Sequence, residues 1–291
     1  MLIDLHTHTT ASDGTDSPTQ LIDKAINRGI NILAITDHDT TRGWDQAKTA
    51  LLNHPSKSEM RLVLGSEISC QDENGISIHM LGLLFDPEYQ PLFEVLERTR
   101  ENRHSRMERI IARLNEAGIE ITSDEVNAQR KGDATLGRPH LADALVARGN
   151  VASRDEEFAA LLHNKSKFYI SHYSPSPIEA IELIKAAGGV AIIAHPLASQ
   201  RGRTISMDLF ESLIAAGLDG IEVDHRDHSE SEKSELLRFT IEQELIVTGS
   251  SDYHGTGKLN QLAEYSTHPR QWEAIEARAL TNSGGRRVIQ R

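Results

Sequence analysis

The sequence predicts an α/β protein with parallel strands, either closed into a barrel or laid out as a doubly wound sheet. Three observations predict it. Short apolar strands alternate with amphipathic helices along most of the 291 residues, and repeated βα units call for parallel strands. Capped helix starts recur at the same place in the repeat. Histidines and carboxylates gather at the carboxyl ends of strands, which in a barrel converge on one face.

The opening strand covers residues 2–8. Ser17-Pro18-Thr19-Gln20 follows with an N-cap serine, a proline at the first helical position and a glutamine at the third, a capping box. Leu21, Ile22, Ala25 and Ile26 make the apolar face of that helix, and Gly29 ends it. Residues 31–35 then form a buried strand running into Thr36-Asp37-His38-Asp39. Leu62-Val63-Leu64 leads to Glu67, and residues 76–85 form a strand containing His79. Ser176-Pro177-Ile178-Glu179 repeats the capped start, Gly188-Gly189 ends the helix, and residues 190–194 run into His195-Pro196. Ile221-Glu222-Val223 and Leu245-Ile246-Val247 follow, the last leading to Ser251-Asp252-Tyr253-His254.

One region breaks the rhythm. Residues 98–167 are mostly helical and lack buried-strand runs, so the chain is expected to divide into a barrel (1–97 and 168–291) and a small inserted domain (98–167). The first inserted helix, "RTRENRHSRMERIIARLNEAG", carries Arg98, Arg100, Arg103, Arg106, Arg109 and Arg113. Such a face reads equally well as a solvated surface.

Composition narrows the function classes. The formal net charge of −12 argues against broad duplex DNA binding, which relies on Lys and Arg neutralising phosphates. No uncharged apolar run reaches membrane-spanning length, so no membrane partner is expected. "MLIDLHTH" lacks the basic and apolar regions of a signal peptide. The single cysteine, Cys70, fits a reducing cytoplasm.

His6, His8, His38, His195 and His254, with Asp13, Glu67 and Asp252, sit at or just past predicted strand ends, and His79 lies within one. His6 and His8 share a strand face because side chains alternate with period two. Asp4, on the same face, is placed to orient one of them. Imidazoles mixed with carboxylates and no thiolates suit Mn, Fe or Zn better than Ca or Mg. Since three or four protein ligands serve one catalytic ion, nine candidates fit two or three ions. Adjacent ions of that kind suit cleavage of phosphate esters. No G-x-x-x-x-G-K-[ST] loop, G-x-G-x-x-G turn or G-x-S-x-G elbow offers another chemistry.

"DLHTHTTASDG", "AITDHDTT", "GSEIS", "IHMLGL", "AIIAHP" and "GSSDYH" resemble, in order, the motifs of the PHP (polymerase and histidinol phosphatase) family. The resemblance implies a distorted (β/α)7 barrel with a trinuclear metal centre. It implies His6, His8, Glu67 and Asp252 on a first ion, and Glu67 bridging to a second held by His79 and His195. Asp13, His38 and His254 would hold a third. Many family members have histidine in place of Asp13, and the harder oxygen ligand favours manganese, with iron or zinc as alternatives.

The insert after "IHMLGL" resembles a branch that acts on nucleoside 3',5'-bisphosphates and trims short 5'-phosphorylated RNA. This implies Arg138 and His140 of "GRPHLADALV", and Arg201 or Arg203 of "AHPLASQRGRT", as substrate contacts. The expected chemistry is attack on phosphorus by a hydroxide bridging the metals. A histidinol-phosphate or other small-molecule phosphatase and a non-catalytic module of a larger assembly are the alternatives.

Overall fold

A computed structural model describes residues 1–56, 58–129, 137–150, 161–162, 166–170, 173–199, 204–282 and 289–290. Seven strands follow one another around a sheet in chain order: β1 (Ile3–Asp4), β2 (Ile32–Ile35), β3 (Arg61–Gln71), β4 (Ser77–Leu83), β5 (Val190–Ala194), β6 (Gly220–Asp224) and β7 (Ile246–Gly249). A short β8 (Ile289–Gln290) pairs with β3 off this path. The two ends of the sheet meet. Thr7 bridges Tyr253, His8 N donates to Tyr253 O at 2.8 Å, and Thr267 N donates to Ile3 O at 3.0 Å. The sheet is therefore a nearly closed seven-stranded barrel, and the doubly wound alternative is excluded.

Helices α1 (Pro18–Arg28), α2 (Trp44–Asn53), α3 (Gln90–Glu116), α4 (Ser123–Ala128), α5 (Arg138–Ala147), α6 (Pro177–Ala186), α7 (Met207–Ala215), α8 (Glu230–Glu242) and α9 (Pro269–Thr281) connect or follow the strands. The capping box that begins α1 forms as expected: Gln20 N donates to Ser17 Oγ, and Ser17 N to Gln20 Oε1. Gly29 closes α1 in the left-handed region, φ 77°, where a side chain would be strained. Alternation along the strands separates two buried sets. Ile32, Ala34, Val190 and Ile192 cluster with Trp272 and Ile275 of α9. Leu33, Ile35, Ala191 and Ile193 cluster with residues of α1, α2, α6, α7 and α8.

One sequence expectation fails. β4 is antiparallel to both β3 and β5, because only a tight turn through Gly75 joins β3 to β4 and no helix carries the chain back. The reversal has a functional result. It brings the start of β4, not its end, to the face where the other strands finish, so His79 stands opposite Ser69 on one side and Ala194 on the other.

The long α3 runs unbroken through residue 98. Its Leu92 and Leu96 belong to the barrel cluster. Its Met107, Ile110, Ile111 and Leu114 build a third cluster with Val126 of α4 and Leu141 and Leu145 of α5.

A close approach beside the site tests the packing of β3 on β4. A Cβ on Gly65 would lie 2.6 Å from Gly82 O and 2.9 Å from Leu83 Cδ2. Gly65→Ala should therefore push the strands apart and destabilise the protein by about 1–3 kcal/mol, the usual range for overpacking. A urea midpoint equal to that of the parent would show that the sheet opens there without strain.

Candidate metal centre

The loop after β1 is shaped by one buried carboxylate. Asp37 accepts from Thr9 N and Thr9 Oγ1, both at 2.7 Å, and from Ser12 Oγ at 2.6 Å. These bonds fold the segment between His8 and Asp13 back over the barrel end. A second buried carboxylate, Glu222 on β6, accepts from the His195 backbone at 2.9 Å and faces His6 Nδ1 at 3.0 Å. Glu222 thus orients His6, the role the sequence suggested for Asp4. The Asp4 carboxylate instead accepts from Ser251 N, Ser251 Oγ and Ala263 N, fastening the loop after β7 to β1.

Donor direction shows why a cation belongs here. His254 Nδ1 lies 2.8 Å from Asp252 O, and a carbonyl only accepts, so Nδ1 carries the proton. The lone pair on His254 Nε2 then faces Asp13 Oδ1 at 3.3 Å. The same logic holds at His6. Its Nδ1 donates to Glu222, and its Nε2 faces Glu67 Oε2 at 3.1 Å and Asp252 Oδ1 at 3.5 Å, where the carboxylates of Glu67, Glu222 and Asp252 draw positive charge onto the ring against the cost of burial. His8 Nε2 stands only 3.1 Å from His6 Nε2. Acceptors aimed at acceptors across buried space need a positive charge between them.

Glu67 is the hub. Its Oε2 lies 3.0–3.2 Å from nitrogens of His6, His8 and His38. Its Oε1 lies 2.7 Å from His79 Nδ1 and 3.2 Å from His195 Nε2. Glu67 Oε2, His38 Nδ1, His79 Nδ1 and His254 Nε2 are all buried without a hydrogen-bond partner. Burial opposes ionisation of Glu67, but His38, His79 and His6 outweigh it and hold its carboxyl well below the usual range. Burial likewise opposes charge on His8, yet Asp252 and Glu67 carry it up to about 9. Bound dications would supply the same positive charge without protonating the rings.

The donors fall into overlapping groups: His6, His8, Glu67 and Asp252; His8, Asp13, His38 and His254; His38, Glu67 and His79; and His6, His195 and Glu222. All nine residues singled out in the sequence therefore come together. Sequence reasoning missed Glu222, whose signal was a lone charge in an apolar strand. It also missed buried His225, whose Nε2 lies 3.5 Å from Asp252 Oδ2.

A cavity of about 620 Å³ opens beside these donors. Asp13, His38 and His79 line it, together with Arg103, Arg106 and Arg138. Arg106 is buried and its Nε donates to Ile170 O at 2.6 Å. Burial and the neighbouring charges of Arg138 and Arg103 pull its pKa down to about 10. Of the expected substrate residues, Arg138 reaches the cavity and also donates to Leu162 O at 2.8 Å. His140 is buried at the start of α5, where its Nδ1 accepts from Gly137 N at 3.0 Å, and it does not line the cavity. Arg201 and Arg203 lie outside the described residues.

The chain is similar along its length to phosphate-processing enzymes. It is 36% identical over 252 residues to the 5'-3' exoribonuclease of Haemophilus influenzae, covering 86% of this chain and 89% of that one. It is 32% identical over 257 residues to the phosphoribosyl 1,2-cyclic phosphate 1,2-diphosphodiesterase of Eggerthella lenta, covering 88% and 95%. To the 3',5'-nucleoside bisphosphate phosphatase of Chromobacterium violaceum it is 33% identical over 283 residues, covering 96% and 98%. A solved structure from Bifidobacterium adolescentis, assigned as a metal-dependent phosphoesterase, matches with a TM-score of 0.87 at 41% identity over 95% of this chain and 96% of that one. Residues 4–173 match the PHP domain. The barrel, its ring of donors and this match over more than half of the sequence agree: the chain belongs to the PHP domain family.

Proposed function

We propose that this protein is a metal-dependent phosphoesterase acting on nucleotides that carry a second phosphate. These are nucleoside 3',5'-bisphosphates or short 5'-phosphorylated oligoribonucleotides. The observation that carries this reading is one cavity lined both by metal donors (Asp13, His38, His79) and by four guanidiniums, three from the helical unit (Arg103, Arg106, Arg138) and Arg226 from the loop after β6. A substrate with one phosphate would use the donors and leave the guanidiniums idle. The exoribonuclease and bisphosphate phosphatase relatives support the same substrate class.

His6, His8, Asp13, His38, Glu67, His79, His195, Asp252 and His254 are the residues we assign to two or three ions, with manganese as the metal. When bound, such ions lower the pKa of water and stabilise charge on phosphoryl oxygens. The protein's own contribution is to hold the donors still. Glu222 fixes the His6 ring and the backbone of His195 at once. Lys258, which lines the cavity, places its Nζ 2.8 Å from Oδ2 of buried Asp252 and fixes that carboxylate. Arg103, Arg106 and Arg138 hold the phosphate that does not react, through charge-assisted bonds that planar guanidiniums donate in pairs. The inserted helical unit built on α3, α4 and α5 would thus cap the barrel and read the substrate. Among the described residues no helix is long and apolar enough to cross a membrane. Cys70 is buried, which suits a reducing compartment such as the cytoplasm. A histidinol-phosphate phosphatase would not need the guanidiniums, and a non-catalytic module would not need nine converging donors.

The metal centre is tested first. Protein purified without chelator should contain two to three transition-metal ions per chain, and activity lost to chelation should return with Mn. Glu67→Gln should lower both metal content and turnover, because Glu67 faces five imidazoles from the middle of the donor set. Full activity with one ion or none would remove the multinuclear centre.

Substrate choice is tested on a panel of a 3',5'-bisphosphate nucleotide, a 5'-phosphorylated dinucleotide, a sugar cyclic phosphate, histidinol phosphate and p-nitrophenyl phosphate. The highest kcat/KM is expected for one of the first two. Arg138→Ala should raise KM for the bisphosphate roughly tenfold or more, as for loss of a charge-assisted bond of about 1.5–3 kcal/mol. Its effect on p-nitrophenyl phosphate should be much smaller. Equal losses on both esters would mean that Arg138, through its bond to Leu162 O, serves the fold instead.

A further inference from the structure

We infer that Asp39 is a positioning residue whose buried carboxylate aims Arg103 at the phosphate that does not react. This inference rests on the proposed function, because it gives Arg103 a phosphate to meet. Asp39 directly follows His38 in the loop after β2. Its side chain is fully buried, accepts from Ser69 N at 2.8 Å and stands 3.1 Å from Arg103 Nη2. That same guanidinium nitrogen donates to the Ser69 hydroxyl. Arg103 is therefore held at two points, and both belong to segments that carry metal donors. His38 precedes Asp39, and Glu67 lies two residues before Ser69 on β3. The Asp39 backbone also donates to Glu67 O at 3.0 Å.

Two forces would otherwise misplace Arg103. A free arginine samples many rotamers, and each binding event would have to order it. Arg106 and Arg138 line the same cavity, and their like charges push Arg103 away. Asp39 opposes both by fixing one guanidinium edge, which leaves the other edge for the cavity. A purely structural role explains the residue poorly. Asp39 has φ 52°, a left-handed backbone that strains a side chain, and its charge is desolvated as well. An asparagine would relieve the second penalty and tolerate the first equally well. The carboxylate has a use only if its partner's placement matters.

Asparagine is accordingly the test. Asp39→Asn keeps size, backbone preference and an acceptor for Ser69 N, and removes only the charge that faces Arg103. We expect KM for a 3',5'-bisphosphate nucleotide to rise about fivefold or more, as for weakening one charge-assisted contact, with bound metal per chain unchanged. We also expect Arg103→Lys and Asp39→Asn to be non-additive, so that the double variant is little worse than either single one. A fall in kcat on bisphosphate and p-nitrophenyl phosphate alike, or loss of metal, would assign Asp39 to the metal loop and overturn the inference. So would additive losses, or no change in KM. A parent enzyme that does not prefer bisphosphates would refute the proposed substrate. The double-variant comparison then judges Asp39 on whichever phosphate ester the panel identifies.

Discussion

A buried carboxylate ringed by imidazoles is the interaction on which the rest of this site depends. Glu67 is 1% exposed and has nitrogens of five histidines within 3.2 Å. Those histidines arrive from four parts of the barrel: the ends of β1, β2 and β5, and the start of β4. A charge so placed is costly without cations, so each arriving segment has to be held to a fraction of an ångström. Much of the surrounding polar structure does that holding. Asp37 ties the loop after β1, Glu222 ties β1 to β5, and Asp4 ties β1 to the loop after β7. None of these three carboxylates faces the cavity. They fix the elements that do.

The sequence showed the donors because they sit where strand periodicity ends, and a strand end is legible from apolar runs and caps. His6, His8, His195 and Asp252 could be placed that way, whereas Glu67, expected at a strand end, lies inside β3, four residues before its end at Gln71. His79 could not, since its position depends on the direction of β4. Direction is decided by whether a helix or a tight turn precedes a strand, and the turn through Gly75 reverses it. Glu222 was hidden for another reason. One charge inside an apolar strand looks the same whether it meets solvent at an edge or an imidazole across a barrel, and only closure of the sheet distinguishes the two.

The arginines of α3 show the opposite limit. Six of them in sixteen residues were visible at once, but helical spacing alone does not say which face meets the barrel. Packing answers this. Leu92 and Leu96 join the barrel core while Met107, Ile110, Ile111 and Leu114 join the third cluster. The helix is thereby pinned at both ends of the stretch between them. Arg103 and Arg106 lie in that stretch and line the cavity. One continuous helix that contributes to two cores is stiff, so the guanidiniums keep their distance from the donors without a hinge.

Backbone strain is concentrated at the same place. Six non-glycine residues among those described have positive φ, and Asp39, His195 and Asp252 are three of them. Each belongs to a loop that leaves a strand at the carboxyl face of the barrel. His195 and Asp252 are themselves donors, and Asp39 follows one. Strain of this kind persists only where surrounding contacts over-determine the conformation. Here those contacts are visible. His195 N is taken by Glu222, the Asp39 carboxylate by Ser69 N and Arg103, and Asp252 by Lys258 and His225. Of the three, His195 sets its Nε2 3.2 Å from Glu67 Oε1 and Asp252 sets its Oδ1 3.5 Å from His6 Nε2, so the bonds that oppose the strain also hold two donors from separate strands within one set.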